Sequence, residues 1–209
     1  MRIIEGHKGC CEYTTIFTGT DGHASQPDLG VNAIEYATRY ITRLLEIGEQ
    51  LKARRPAASP FDPPWSTVQV GRIAGGAARN IIASSCAVEW ELRPVSAADF
   101  AFARNDIEAY VARELLPRMR AVAPTASIVT EIIGEVAGLE PMTHSEAEAL
   151  VRTLTGDRTA ASFVSFGTEA GLFQQHGIST VICGPGSIEQ AHKPDEYVEI
   201  RSEERRVGV

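Results

Sequence analysis

Ile81-Ile-Ala-Ser-Ser-Cys-Ala-Val-Glu-Trp-Glu-Leu-Arg93 decides the fold. Its second half alternates strictly. Cys86, Val88, Trp90 and Leu92 fall on one side, and Glu89, Glu91 and Arg93 on the other. A period of two marks a strand with one face on a core and the other toward water, and the stretch is expected as one long strand from Ile81 to Arg93. Upstream, Thr67 to Ile73 reads as a strand, joined to this one by the Gly- and Ala-rich turn from Arg72 to Asn80. Earlier still, Tyr13, Thr15 and Phe17 alternate with Thr14, Ile16 and Thr18, which predicts a strand from Cys10 to Thr18. Downstream, Ser127 to Ile133 reads as a fourth strand.

Two helices fall between these strands. Asn32 and Glu35 have capping-box spacing, and Ile34, Ala37, Ile41, Leu44, Leu45 and Leu51 follow as one helical face. Ser96 and Asp99 repeat the capping spacing ahead of a stripe of Phe100, Ala103, Ile107, Val111 and Leu115. Pro117 ends or kinks that helix. Gly19 to Gly30 is a loop holding His23, and Pro56 to Pro64 is an aperiodic connector. The order β-α-β-β-α-β is that of a ferredoxin-like split βαβ unit, placed at residues 8–134, with both helices on one side of the sheet.

Residues 135–200 read differently. After the turn at Gly138-Leu-Glu-Pro141, a helix is predicted from Ser145 to Leu154. From Phe163 the pattern is a turn, a short helix, a buried parallel strand at Ser179-Thr-Val-Ile-Cys183, and a stop at Gly184-Pro-Gly186. A polar loop follows, with His192 flanked by Lys193, Pro194, Asp195 and Glu196. Ligands of open α/β sheets bind beyond the carboxyl ends of strands. Taken alone, a loop histidine such as His192 reads as a surface histidine more often than as a ligand. Residues 1–7 are expected to be a strand remnant of the same α/β domain, and 201–209 an atypical tail outside the functional argument. The fold class is thus α+β: a ferredoxin-like βαββαβ domain plus the C-terminal segment of an α/β domain.

The chain has 209 residues, 44% hydrophobic and 22% charged, with a net charge of −7. The acidic balance argues against nucleic acid as a partner. No apolar run approaches the roughly 20 residues that span a bilayer. The four cysteines, Cys10, Cys11, Cys86 and Cys183, lack CxxC spacing and read as reduced thiols of a cytoplasmic protein. No phosphate-binding Gly-rich loop or Gly-x-Ser-x-Gly elbow is present.

The order of several short motifs carries a resemblance. They are Gly6-His-Lys-Gly9, Asp21-Gly-His-Ala-Ser25, Gly30-Val-Asn-Ala-Ile34, Gly75-Gly76 with Asn80, Leu92-Arg-Pro94, Gly167-Thr-Glu-Ala-Gly171, Gly184-Pro-Gly186 and Ala191-His-Lys-Pro-Asp-Glu-Tyr197. Together, over nearly the whole chain to about Ile200, they resemble the M20 family of zinc-dependent aminoacylases and exopeptidases, nearest its amino-acid deacetylase branch. Ala24 and Ala83 depart from it, standing where many relatives have Ser and Pro.

The resemblance implies a metal-dependent amidohydrolase acting on an N-acyl amino acid, with residues 8–134 as its lid, a dimerisation domain that makes a homodimer. It implies a two-metal site of Zn²⁺ or Co²⁺ in the complete protein, with His192 closing one metal. The relatives carry a Gly-Glu-Pro-Thr segment with a metal ligand just before Arg2-Ile-Ile-Glu5. Its absence gives the expectation that Met1 is an internal methionine or a truncated start, and that the chain alone is inactive. The resemblance further implies that His23 reaches the partner's active site and stabilises the developing oxyanion. Read alone, His23 is an exposed loop histidine. Asn80 and Arg93 are the substrate-binding candidates of the lid. A guanidinium matches a free carboxylate bidentately, although Arg93 also reads as a surface cation paired with Glu91 or a helix residue. Gly167 and Thr168 offer backbone and hydroxyl contacts. Glu169, where some relatives have Asp or Ser, meets a cationic side chain. Rival readings keep the fold and change the acyl group or cleave a dipeptide, or make the chain a non-catalytic dimerisation unit.

Overall fold

The computed structural model describes residues 2–191 and 193–200. Strand β1 (Ile4–His7) leads through Lys8 and Gly9 into β2 (Cys10–Thr18). Helix α1 (Ala33–Ala53), β3 (Thr67–Gly75), β4 (Ser85–Arg93), α2 (Ala97–Tyr110), α3 (Leu116–Val122) and β5 (Ser127–Val136) follow. The strands β2 to β5 form one antiparallel sheet in the order β3-β4-β2-β5. Beyond it lie α4 (Glu146–Thr155), β6 (Ser162–Val164) and α5 (Ala170–Gln175). β6 pairs in parallel with β1 in a separate two-stranded sheet.

β4 starts at Ser85, where the alternation starts, and not at the expected Ile81; that alternation builds the core. Cys86, Val88, Trp90 and Leu92 are buried, together with Cys11, Tyr13 and Phe17 of β2. From above they meet Ala37, Tyr40, Leu44, Ile47 and Leu51 of α1 and Ala103 and Ile107 of α2. Tyr13 and Trp90 stack at 4.4 Å between centroids, and Tyr40 meets Phe17 edge-on at 5.4 Å. Such pairs add to simple area burial. One polar group sits among them. The Thr15 hydroxyl accepts from the Trp90 indole N–H at 3.0 Å and also bonds the hydroxyls of Tyr40 (3.1 Å) and Thr130 (3.0 Å). Its hydrogen-bonding capacity is met, which is what makes its burial tolerable.

Helix α1 starts where Asn32 caps it, its side chain accepting from the Ile34 N–H at 3.1 Å. Its buried stripe runs through Ala33, Ala37, Tyr40, Leu44, Ile47 and Leu51. Of the expected stripe, Ala37, Leu44 and Leu51 are buried and Ile41 packs against the core, but Ile34 and Leu45 are corrected to lie outside it. Leu45 is 57% exposed and Ile34 37%. Tyr40 and Ile47 supply the repeat that sets the phase, and the other apolar residues flank it.

Ser96 caps α2 by accepting from the Asp99 N–H. Pro117 does not stop the helical path. A five-residue π-turn, Val111–Leu115, precedes it, and the Leu116 N–H reaches back to the Val111 carbonyl. The widened turn accommodates a residue that has no N–H to donate, and α3 continues beyond it.

A second correction concerns Ser179 to Cys183. The run is half-buried, not buried, and forms no strand. Ile182 makes one isolated antiparallel bridge with Ile4, exchanging N–H···O bonds of 2.8 and 2.9 Å. A fully buried parallel strand needs neighbours on each side and cover on both faces. Here β1 is the backbone that meets it.

Candidate active site

The sequence candidates assemble at two places, at opposite ends of β4. The first is the tip of the sheet beyond Ser85. There the 19–30 loop and the 76–84 loop pair through their backbones. His23 bridges Ile81, the Ala24 N–H donates to Asn80 O at 3.0 Å, and the Ile82 N–H donates to Gly22 O at 2.9 Å. His23 and Asn80 are thus neighbours, and both are exposed. The His23 ring has a defined tautomer. The Ser25 N–H donates to its Nδ1 at 3.2 Å, and the Ser25 hydroxyl lies 2.7 Å from the same nitrogen. A neutral imidazole that accepts at Nδ1 carries its proton on Nε2. His23 is therefore presented at the tip as a hydrogen-bond donor.

The second place is the foot of the sheet, where β1 crosses into β2 and β5 crosses back. Arg93 lies there, half-buried, with a bidentate grip on Glu91: Nε to Oε1 and Nη2 to Oε2, each 2.9 Å. The Glu91 carboxylate holds the guanidinium firmly protonated. The Gly167-Thr168-Glu169 turn packs over the same foot. A side chain on Gly167 would meet the Cys10 Cβ at 2.8 Å, so glycine is what lets the turn sit this close. Glu169 is exposed at the start of α5. The Thr168 hydroxyl bonds His7 Nε2 at 3.1 Å and accepts from the Ala170 N–H at 3.1 Å.

His7 and Lys8 are the residues that motif reading undervalued. Both are 1% exposed. His7 Nδ1 donates to the Lys8 carbonyl at 2.7 Å, and burial pushes its pKa down, so the ring is neutral. Lys8 donates from Nζ to the Trp65 carbonyl at 2.8 Å, and burial lowers its pKa too. A lysine confined between Gly6 and Gly9 was the available signal. Its partner, Trp65, lies just past the aperiodic connector, where no pattern points to it.

The neutral state of His7 predicts a pH dependence. Its folded pKa lies below the ordinary 6.5 of the unfolded chain. As pH falls below 6.5 the unfolded state takes up a proton first, so stability contributed above that pH is lost toward the lower folded pKa. Urea melts at a series of pH values should show stability declining from about pH 6.5 downward, and a shallower decline in His7→Gln. An unchanged slope in the variant would assign the dependence to other groups.

His192, the metal-ligand candidate, lies outside the described residues. Among the described residues one cluster has ligand-like proximity: Cys10, Glu12 and Glu91, whose donor atoms lie within 4.8 Å of one another. Both oxygens of Glu91 are engaged by Arg93, and burial raises the Cys10 pKa, favouring the thiol over the ligating thiolate. These residues do not fit a two-metal centre. A cleft of about 950 Å³ opens beside the foot, walled by Phe61, Phe100, Leu139, Phe163 and His7. Among the described residues, His23, Asn80, Arg93, Gly167, Thr168 and Glu169 lie outside its walls.

Known proteins resemble the chain along most of its length. Residues 5–119 match the family model of the peptidase dimerisation domain. That match covers more than half of the chain. The chain belongs to the M20 peptidase family. Curated M20 relatives include the acetylornithine deacetylases of Proteus mirabilis (strain HI4320) and Salmonella arizonae, each 35% identical over 202 residues, or 96% of this chain. The match covers 49% and 50% of those proteins, so this chain spans about half the length of the M20 relatives it matches. Aminopeptidase PepT from Bacillus cereus superposes with a TM-score of 0.66 at 19% identity, over 98% of this chain and 50% of that one. A tripeptidase from Staphylococcus aureus gives 0.66 at 20% identity, over 97% and 50%. At these identities the superpositions speak for the M20 fold alone. No helix among the described residues is long and apolar enough to cross a membrane.

Proposed function

We propose that this chain is the lid and C-terminal portion of a metal-dependent amidohydrolase that cleaves N2-acetyl-L-ornithine to L-ornithine and acetate, a step of arginine biosynthesis in the cytoplasm. The likeness to two acetylornithine deacetylases over 96% of the chain supports the substrate. In this reading residues 8–134 are a ferredoxin-like lid, 135–200 the end of a catalytic domain and 1–7 a strand of that domain.

One observation carries the mechanism. His23 and Asn80 sit together beyond the Ser85 end of β4, while Arg93 and the Thr168 turn sit at its other end. Nine extended residues at about 3.4 Å each put roughly 30 Å between them. No side chain bridges that span within one chain. A site that uses all of them is completed by a second copy, whose tip delivers His23 and Asn80 to the foot of the first. Arg93, shared with Glu91, takes the substrate carboxylate. Thr168 and Gly167 line the site, and Glu169 meets the δ-ammonium group. His23 donates from Nε2 to the carbonyl oxygen as negative charge develops on it.

A homodimer is required by this arrangement, and the free sheet edges at β3 and β5 offer backbone groups for it. Sedimentation should show a dimer at about 50 µM, a concentration above the Kd of all but weak complexes; a strict monomer there counts against the in-trans site. Zn²⁺ or Co²⁺, with His192 as one ligand, belongs to the same reading. The described residues do not build that centre. Acetylornithine hydrolysis, assayed with Zn²⁺ or Co²⁺, tests the proposal. The 209-residue chain is expected to show none, and a version extended to the length of its relatives to show turnover. Turnover by the chain alone, abolished by His192→Ala, would overturn the account of a divided site.

A further inference from the structure

We propose that His7 is a positioning residue: its buried, neutral ring holds the Thr168 hydroxyl, and through it the Gly167–Glu169 turn, in the orientation that faces the proposed substrate site. This rests on the reading of Thr168 as a substrate contact, and goes beyond it by naming what orients that residue.

The chemistry of the contacts fixes every proton. A carbonyl only accepts, so the 2.7 Å contact to Lys8 O places a hydrogen on His7 Nδ1. In the neutral ring Nε2 is then an acceptor. The Thr168 hydroxyl, 3.1 Å away, is the donor to it. That hydroxyl accepts in turn from the Ala170 N–H. Direction thus runs one way, from the first turn of α5 through Thr168 and His7 to the Lys8 carbonyl.

The anchor itself is paired on both sides. His7 exchanges both backbone hydrogen bonds with Leu139, at 3.0 and 3.1 Å, and its register partner in β6 is Val164. A ring held by β1, β6 and the returning chain fixes the threonine rotamer. Removing its acceptor leaves the hydroxyl free to turn.

The test uses the 209-residue chain, labelled with ¹⁵N. Imidazole correlation spectra should show His7 protonated at Nδ1; protonation at Nε2 overturns the proposal without any variant. Two substitutions then separate the two ring nitrogens. His7→Gln places its amide oxygen near the position of Nε2 and keeps an acceptor for Thr168. His7→Asn places its amide near Nδ1 and keeps a donor for Lys8. Exchange of the Ala170 amide should accelerate about tenfold in His7→Asn and in Thr168→Val, the size of one lost hydrogen bond, and stay close to wild type in His7→Gln. The double variant His7→Asn with Thr168→Val should add nothing further. Equal acceleration in Gln and Asn variants would mean that His7 only packs.

In the version extended to the length of the relatives, His7→Asn should raise KM about tenfold, with His7→Gln restoring it. An expected exchange pattern with unchanged KM and kcat removes the substrate contact and leaves the positioning intact.

Discussion

His23→Ala, made in a version of this chain extended to the length of its relatives, is expected to lower kcat about a hundredfold or more with metal content unchanged. The size follows from the loss of one donor at a developing oxyanion, roughly 3 kcal/mol in other enzymes. The geometry argues that the effect falls on kcat. His23 is exposed, and Ser25 holds its ring so that Nε2–H points outward. It buries no apolar area whose loss would unfold the tip. A donor matched to charge that appears only in the transition state leaves ground-state binding nearly untouched. The in-trans part has its own readout. Mixing His23→Ala with His192→Ala creates heterodimers in which one foot is intact and the partner supplies an intact tip. Up to about a quarter of wild-type turnover should return on random pairing and full exchange, with one good site in half the dimers. If no activity returns although heterodimers form, His23 acts within its own chain or not at all.

Gly171→Ala is expected to be the most damaging single-methyl change in the C-terminal part, costing about 3 kcal/mol or more. Gly171 sits in the first turn of α5, against the chain returning from β5. An added Cβ would lie 2.2 Å from the Ala137 carbonyl oxygen and 2.6 Å from that of Gly138. Both obstacles are backbone and cannot rotate aside. They belong to the segment that pairs with His7, so relief would have to come from moving that crossing. Gly177→Ala is the control. Its added Cβ meets nothing within 4 Å, and the cost is that of a side chain at φ 76°, about 1 kcal/mol. Urea unfolding and exchange of the Leu139 amide would measure both. Equal effects in the two variants would show that α5 tolerates being pushed off the crossing.

The sheet was legible because its strands have one wet and one dry face, and period two survives in the residues themselves. Cys10–Thr18 is found at the expected bounds for that reason. α1 was legible as a helix, but its phase was not. Aliphatic residues such as Ile34 and Leu45 lie outside the buried stripe, and Tyr40 carries a share of the core that its hydroxyl disguises. The run at Ser179–Cys183 looked like a buried strand because apolar content was its only signal. Strand formation is decided by neighbours, and the bridge at Ile182 to Ile4 is isolated, not part of a ladder. The site divides in the same way. His23, Asn80 and Arg93 were visible as motif residues, but their separation into a tip and a foot depends on pairings between distant loops. His7 and Lys8 take their meaning from Thr168, Leu139 and Trp65, remote in sequence, so local pattern is silent about them.

The first residue of β2, Cys10, pairs with the last residue of β5, Val136. The chain therefore enters the four-stranded sheet and leaves it through one doorway, about 5 Å wide as for any antiparallel pair. A unit with adjacent ends is a cassette. It can be inserted into a loop of a host fold with little entropy of closure and without prying the host apart. It can equally be removed by splicing Gly9 to Ala137, or traded for a sheet that pairs differently. A change confined to the tip would then alter what it delivers in the proposed dimer, while the residues at the doorway end, Arg93 among them, stay as they were.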